Sequence, residues 1–117
     1  MKVLLVDDEE ELVVTLAERL SFRGIEAKWS TGGQDAVDLT EHESFDVVVL
    51  DVKMPHINGI QLKKKLERIR PEMKFIFLTG HGSEEDFRIG SAEADRYLVK
   101  PIDIEQLVAT LMEVVKP

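Results

Sequence analysis

Polar side chains that are capable of metal and phosphate chemistry follow four apolar stretches of this 117-residue sequence. Asp7 and Asp8 follow the first stretch, Asp51 ends another, and Thr79 and Lys100 come directly after two more. Carboxylate oxygens are ligands for Mg²⁺, and an aspartate can act as a nucleophile that forms an acyl phosphate. Hydroxyl and ammonium groups can bind phosphoryl oxygens. If these side chains converge, they can carry out a metal-assisted phosphoryl transfer.

Each of these residues also has an ordinary structural explanation. An acid after a strand often caps the next helix, as Asp8 would, and Asp51 or Thr79 alone would be interpreted as a turn residue. Lys100 before a proline would be a solvated strand end. The placement of all these residues together favours the chemical interpretation. Two carboxylates about 4 Å apart repel by several kcal/mol at an effective dielectric constant near 20, so acids are not expected to cluster without a cation between them. Three acids at one place need a counter-charge, and Mg²⁺ suits them.

The apolar stretches predict the strands of a parallel sheet that would bring these side chains together. Residues 45–51 are mostly β-branched or apolar, without polar alternation, which is typical of a strand buried on both faces. Further strands are predicted at 2–6, 73–78 and 96–99, with a less apolar edge strand at 25–29. Open α/β sheets bind ligands at the carboxyl ends of their strands. We therefore expect one site at that edge.

Apolar residues at helical spacing predict a helix after each strand, and this alternation indicates an α/β fold with right-handed crossovers. The first helix spans about 9–22, with Asp8 and Glu11 matching a capping box and Gly24 as a stop. The second ends near residue 42, the third ends before residue 71, and Asp103 caps the fifth. The fourth begins near residue 83 and is the weakest, because Gly90 interrupts a poor apolar stripe.

The amino-acid composition limits the classes of protein to which this chain can belong. A chain of this length, with 44% hydrophobic residues, predicts one domain over residues 1–117. There is no cysteine, so thiol chemistry and disulfides are excluded. No apolar run predicts a membrane span or signal peptide, which favours the cytoplasm. A net charge of −8 argues against direct nucleic-acid binding, and the basic residues of the third helix are expected to be solvated.

Four short motifs together carry a resemblance to a known family. They are Val6-Asp7-Asp8-Glu9, Asp51-Val52-Lys53-Met54-Pro55 followed by Asn58-Gly59, Thr79-Gly80-His81, and Tyr97-Leu98-Val99-Lys100-Pro101. In this combination the chain resembles, over almost its whole length, the receiver domain of two-component response regulators. The resemblance implies a flavodoxin-like (βα)5 fold, a doubly wound parallel sheet with strand order 2-1-3-4-5. Helices 1 and 5 would cover one face and helices 2, 3 and 4 the other.

The resemblance also implies roles for individual residues. Asp51 would be the phosphoacceptor that takes a phosphoryl group from a histidine kinase or phosphotransfer protein, so the domain would assist its own phosphorylation and dephosphorylation without being an enzyme in the usual sense. Asp8 would bind Mg²⁺ directly, Asp7 chiefly through water, and Lys53 through its backbone carbonyl. Lys100, ahead of a cis proline bond, would bind the phosphoryl group.

Further implied roles concern switching and signal output. Thr79 and Tyr97 would form a switch pair that alters the surface of helix 4, strand 5 and helix 5, through which members of this family can form homodimers. Lys53 and His81 would flank the phosphoryl group and tune its hydrolysis, although His81 as a plain solvated residue is the simpler interpretation. An output domain or a target protein would be the downstream partner.

One position departs from the family pattern. Glu93 stands four residues before Tyr97, where the family usually has a glycine, and a non-glycine residue in a left-handed conformation costs about 1–2 kcal/mol. We therefore expect a short or mobile fourth helix.

Three other functions compete with this interpretation. A phosphatase of the haloacid dehalogenase type also uses Asp, Thr, Lys and Mg²⁺, but it needs a second Asp at the position that Lys53 occupies. A flavin- or nucleotide-binding module would need a Gly-rich or Ser/Thr-rich loop after the first strand, where five consecutive acids stand instead. An interaction module of the same fold that never takes phosphate is disfavoured by the complete set of acids, Thr79 and Lys100.

Overall fold

A computed structural model of the chain describes residues 1–80 and 94–116. Five parallel strands form one sheet in the order β2-β1-β3-β4-β5, which confirms the predicted fold and strand order. The strands are β1 (Lys2–Val6), β2 (Glu26–Ser30), β3 (Val47–Asp51), β4 (Lys74–Thr79) and β5 (Arg96–Val99).

Four helices lie within the described residues. They are α1 (Glu10–Phe22), α2 (Gly33–His42), α3 (Gly59–Ile69) and α4 (Ile104–Val114), of which α4 is the fifth helix predicted from the sequence. The predicted fourth helix, with its Gly90 and Glu93, lies outside the described residues. Of the helices at 1–80 and 94–116, none has the length and apolar character that crossing a bilayer requires.

Two apolar layers cover the sheet. On one face, Leu16 and Leu20 of α1 and Leu107 and Leu111 of α4 pack on alternate residues of β1, β3, β4 and β5. On the other face, Ala36, Leu62 and Leu66 of α2 and α3 pack on the remaining alternate residues. This arrangement matches the predicted placement of the first, second, third and last helices. All five residues of β3 are buried, as expected for a central strand covered on both sides.

Strand register brings the reactive residues to one edge of the sheet. The last residue of β1 is aligned with the residue before Asp51. Asp51 is aligned with the residue before Thr79, and Thr79 is aligned with the residue before Lys100. The carboxyl ends of β1, β3, β4 and β5 are therefore level, and the side chains that follow them share one small region.

Among the described residues, the predicted ends of the first three helices and the predicted start of the last helix agree with the structure, whereas the predicted cap of α1 does not. The predicted capping box of Asp8 and Glu11 is wrong, because the N-cap is Glu9 and it has no side-chain cap. The preceding acid takes part instead: Oδ1 of Asp7 accepts a hydrogen bond from the Glu9 N–H at 2.9 Å. Asp103 caps α4 as predicted, accepting from the Glu105 N–H at 3.0 Å. Asp8 is thus left exposed and available for another role.

Gly59, the first residue of α3, is required by close backbone packing beside Asp51. A Cβ atom at this position would lie 2.4 Å from the backbone oxygen of Asp51 and 2.8 Å from Cα of Val52. The Gly59 N–H also donates to the Val52 carbonyl at 2.7 Å. The start of α3 is therefore held directly against the end of β3.

We predict that Gly59→Ala lowers the free energy of unfolding by about 2–3 kcal/mol, because rigid backbone must move to admit the methyl group. Urea unfolding followed by circular dichroism measures the change. Gly80→Ala is the matched control, since its added Cβ has no atom of the described residues within 4 Å beyond its neighbours in the chain. Its effect should stay within about 0.5 kcal/mol. Equal stability of the two variants would contradict the packing argument.

Candidate functional site

Three carboxylates meet at the carboxyl edge of the sheet. Asp7, Asp8 and Asp51 each offer one oxygen atom, and these atoms all lie within 4.8 Å of one another. Asp7 and Asp51 are buried, whereas Asp8 is exposed. The structure thus brings together the three acids that the sequence predicted as metal ligands.

The ammonium group of Lys100 lies among these acids. Its Nζ is 2.7 Å from Oδ2 of Asp7 and 3.5 Å from Oδ2 of Asp51. By strand alternation these three residues continue the sheet positions that pack against α1 and α4, because Leu5, Val49 and Leu98 belong to that layer. Side chains at the ends of β1, β3 and β5 therefore reach one another on the same side of the sheet.

Glu9 is a member of the site that the sequence analysis did not single out. Its Oε1 lies 2.8 Å from Nζ of Lys100, at the exposed rim of the cluster. The one sequence feature that could have indicated Glu9 is its position directly after Asp7 and Asp8 in a run of acidic residues. That run continues through residues 10 and 11, and only the tertiary structure distinguishes which of these acids reaches Lys100.

The acids of this site suit a hard cation. Oδ2 of Asp7 is buried and lies 2.7 Å from Nζ of Lys100, but that ammonium is also close to Asp51 and Glu9. One ammonium shared among three carboxylates offsets only part of their charge, and buried charge that is not compensated is costly. Mg²⁺ takes oxygen ligands and commonly binds through one or two carboxylates while keeping several waters. One buried acid, one exposed acid and the carboxylate of Asp51 match that requirement.

Burial governs the protonation of the two inner acids. Burial of the Asp51 carboxyl, reinforced by the charge of Asp7, raises its pKa to about 6, while Lys100 and the Lys53 N–H act in the opposite direction. Burial also raises the pKa of Asp7 above its ordinary value, against the lowering effect of Lys100. At neutral pH the Asp51 carboxyl is therefore mostly ionised.

The neighbouring acids outweigh burial in setting the pKa of the Lys100 ammonium. Burial by itself would lower the pKa of this group, but its bonds to Asp7 and Glu9 and the charge of Asp51 together raise it above the ordinary lysine value. Lys100 is consequently protonated throughout the neutral range and supplies a permanent positive charge to the site.

The loop after β3 contributes a further candidate ligand. The Lys53 N–H donates to Oδ1 of Asp51 at 3.2 Å, which holds this residue at the edge of the cluster. Its carbonyl as a metal ligand stays a prediction. Two residues further on, the Pro55 carbonyl accepts a hydrogen bond from Ile57 at 2.9 Å, and His56 between them has a left-handed φ of 71°. The loop is thereby folded tightly between the end of β3 and α3.

Thr79 and Tyr97 lie on the opposite side of the sheet from the acids. Thr79 is 2% exposed and continues the alternate positions of Phe75 and Phe77, which pack toward α2 and α3. Tyr97 is aligned with Phe77 and packs against the same layer. The two proposed switch residues therefore share a face, two positions apart along neighbouring strands.

The backbone also ties Thr79 to the acid site, because its carbonyl accepts a hydrogen bond from the Lys100 N–H at 2.8 Å. The Lys100–Pro101 bond is cis, as the resemblance implied. His81, predicted as a tuning residue, lies outside the described residues.

Comparison with known proteins agrees with this geometry. The family model for the response regulator receiver domain matches residues 3–112. The transcriptional regulatory protein CpxR of Escherichia coli (strain K12) is 39% identical over 116 residues, which cover 98% of this chain and 49% of that protein. The chain therefore spans about half the length of this curated relative.

Two solved structures are similar to the whole fold. A CheY-like receiver domain protein from Methanospirillum hungatei has a TM-score of 0.88 and 30% identity, with 97% of this chain and 92% of that chain covered. A response regulator protein from Burkholderia pseudomallei has a TM-score of 0.84 and 29% identity, with 94% of this chain and 65% of that chain covered. The latter structure is described as containing a phosphorylated aspartic acid, a calcium ion and citrate.

The raised pKa values predict how stability depends on pH in metal-free protein. A carboxyl whose pKa is higher in the folded state binds more protons there, so its contribution to stability is full below pH 3.8 and is lost as the pH rises through about 6. We expect Asp51→Asn to raise the free energy of unfolding at pH 7.5 by about 1–3 kcal/mol, since the buried charge is removed. The gain should shrink toward zero near pH 4.

Urea unfolding at several pH values, with a chelator present, measures this effect. Asp38→Asn is the matched control, because it removes the same charge from an exposed position on α2 and should change stability by less than about 0.5 kcal/mol. A destabilised Asp51→Asn variant at pH 7.5 would show that the carboxylate is held by more favourable interactions than its burial implies.

Proposed function

The chain belongs to the response regulator receiver domain family, and from this premise we propose that Asp51 accepts a phosphoryl group from a histidine kinase or phosphotransfer protein in a Mg²⁺-dependent reaction. The observation that carries the proposal is the grouping of Asp7, Asp8 and Asp51 with Lys100 at one edge of the sheet. The phosphorylated aspartic acid in the similar Burkholderia pseudomallei protein supports it.

In the proposed reaction, a carboxylate oxygen of Asp51 attacks phosphorus and forms an O–P bond. The bond between phosphorus and the donor's histidine nitrogen breaks, and that nitrogen leaves with the electron pair and takes a proton from solvent. The product is an acyl phosphate on Asp51. Ionisation of Asp51, which its pKa of about 6 allows at neutral pH, leaves this oxygen free to attack.

The other residues balance charge during the transfer. Asp7, Asp8, Asp51 and the Lys53 carbonyl would hold Mg²⁺, which when bound supplies positive charge against the phosphoryl oxygens. Lys100 is already within 3.5 Å of Asp51 and would pair with a phosphoryl oxygen. In this scheme Glu9 is a positioning residue, since its carboxylate holds the Lys100 ammonium at the rim where the phosphoryl group arrives.

Phosphorylation would change the conformation of residues on the face of the sheet that α2 and α3 cover. The phosphoryl group adds charge and acceptor oxygens next to the end of β4. Thr79 would donate its hydroxyl to one of these oxygens, and the Tyr97 ring would move into the space that Thr79 leaves. The surface formed by the predicted fourth helix, β5 and α4 would change as a result.

The partners follow from this scheme. The upstream partner is a histidine kinase or phosphotransfer protein in the cytoplasm. The downstream partner is an output domain or target protein, as the length of CpxR, about twice that of the matched segment, supports. A homodimer through the surface of β5 and α4 is a further form that phosphorylation would favour.

Phosphorylation by a small-molecule donor tests the central proposal. With acetyl phosphate and Mg²⁺, the protein should gain the mass of one phosphoryl group, and hydroxylamine should release it, because acyl phosphates are labile to this nucleophile. Asp51→Asn and removal of divalent metal should each abolish the gain, and Lys100→Met should reduce it at least about tenfold, by analogy with loss of other electrostatic stabilisers. Intact-protein mass spectrometry measures each of these outcomes.

Asp38→Asn again serves as the control and should be phosphorylated like the parent protein. An unchanged mass gain in Asp51→Asn would place the acceptor elsewhere. Steady turnover of a generic phosphate ester, with no lasting mass gain, would instead favour a phosphatase of the haloacid dehalogenase type.

The switch has its own test, since Tyr97 is the single tyrosine of the chain. In protein labelled with 3-fluorotyrosine, one ¹⁹F resonance should move when beryllium fluoride and Mg²⁺ are added as a phosphoryl mimic. Thr79→Val should largely suppress the movement, because it removes the hydroxyl at nearly constant volume. Thr15→Val, at an exposed position of α1, should leave it unchanged. A ¹⁹F resonance whose chemical shift does not change when the mimic is added would rule out the proposed ring movement.

A further inference from the structure

A long surface groove separates α2 from α3 and begins beside the acid site. Its volume is about 940 Å³, near the upper end of the range for small-ligand pockets. Val37 of α2 and Pro55 and Ile57 of the β3–α3 loop supply accessible apolar lining, above the fully buried Leu62 of α3, and Asp8 also lines the groove. The groove therefore offers apolar contact along α2 and the β3–α3 loop.

The α3 wall of this groove carries three cationic side chains: Lys64, Lys65 and Arg68. Within the described part of the chain, no carboxylate lies within 4 Å of any of them, whereas the neighbouring Lys63 pairs with Glu67 at 3.5 Å. Spacings of three and four residues place the three cations side by side on the helix surface. The basic residues of this helix, which the sequence analysis expected to be merely solvated, thus form a cluster along a groove.

Charge complementarity indicates what would occupy the groove. The chain as a whole has a net charge of −8, yet these three cations have no carboxylate of the described residues within 4 Å. Because Asp8 and Asp35 also line the groove, they would repel a nucleic acid, which is anionic along its whole length, but not a helix whose carboxylates lie only beside the cations. A small anion would contact the cations and leave the apolar lining uncovered. An amphipathic helix with one apolar and one acidic side satisfies both features.

We propose that this groove between α2 and α3 binds an acidic amphipathic helix of a partner protein. The apolar side chains of that helix would cover Val37, Pro55 and Ile57. Its carboxylates would pair with Lys64, Lys65 and Arg68. This surface is separate from the one formed by β5 and α4.

The position of the groove gives such a partner access to the phosphorylation machinery. The β3–α3 loop supplies Pro55 and Ile57 to the groove and Lys53 to the acid site, and Asp8 belongs to both. If the proposed function is correct, docking and Mg²⁺ binding will influence each other reciprocally. The docking itself needs neither metal nor phosphate, so it can fail or succeed independently of the proposed function.

The experiment titrates the ¹⁵N-labelled, metal-free chain with a synthetic helical peptide of about 18 residues, long enough to be helical. The peptide has Leu at i, i+3, i+4 and i+7 positions and Glu on the opposite side. We expect saturable shifts of amides in α2, α3 and the β3–α3 loop. Lys65→Glu and Arg68→Glu should each weaken binding by about tenfold, because each places like charges together.

Lys116→Glu is the matched control, since it makes the same charge change at an exposed position near the end of the chain. Thermal unfolding checks that all variants are folded. Equal weakening by Lys116→Glu, equal binding of a peptide with Lys in place of Glu, or absence of groove shifts at millimolar peptide would each overturn the proposal. The same shifts with inorganic phosphate alone would overturn it in favour of a small-anion site.

Discussion

The ion pairing of Lys100 with Asp7 and Asp51 is the interaction on which the site depends. Two buried carboxylates close together are costly, because each loses water and each repels the other. Lys100 offsets this cost from the end of β5, with Nζ 2.7 Å from one acid and 3.5 Å from the other. The raised pKa of Asp51, about 6, shows that the compensation is incomplete. This remaining imbalance is the basis on which we propose Mg²⁺ binding and phosphoryl transfer at Asp51.

The sheet makes this arrangement possible. Asp51 ends β3, and Asp7 and Lys100 directly follow β1 and β5. Their alternate positions place all three on the side of α1 and α4. Thr79 lies on the other side, among residues that pack toward α2 and α3. The end of β4 links the two faces, because the Thr79 carbonyl accepts a hydrogen bond from the Lys100 N–H. The same division leaves the groove between α2 and α3 next to the acid site while keeping it distinct from β5 and α4.

Most of the fold was predictable because its signals are local. The uninterrupted apolar run before Asp51 indicated a central strand, and Gly24 and Asp103 correctly marked a helix end and a helix start. The capping box of Asp8 and Glu11 failed for a physical reason: the preceding acid, Asp7, bonds the Glu9 N–H and leaves Asp8 in solvent. Glu9 was missed because neighbouring acids in an acidic run look alike until a distant residue selects one of them.

The sequence by itself determined the order of elements, the residues available for chemistry and the family to which they belong, because alternation, helical spacing and motifs are properties of neighbouring residues. The tertiary structure alone decided which of these residues meet. Strand register levels the ends of four strands, burial sets the protonation of Asp51, and residues 91 positions apart make the contact between Glu9 and Lys100. It also assembled a groove from α2, α3 and a loop, where three cations of α3 lie close together with no carboxylate of the described residues within 4 Å. Distances and burial of this kind arise only when separate elements pack.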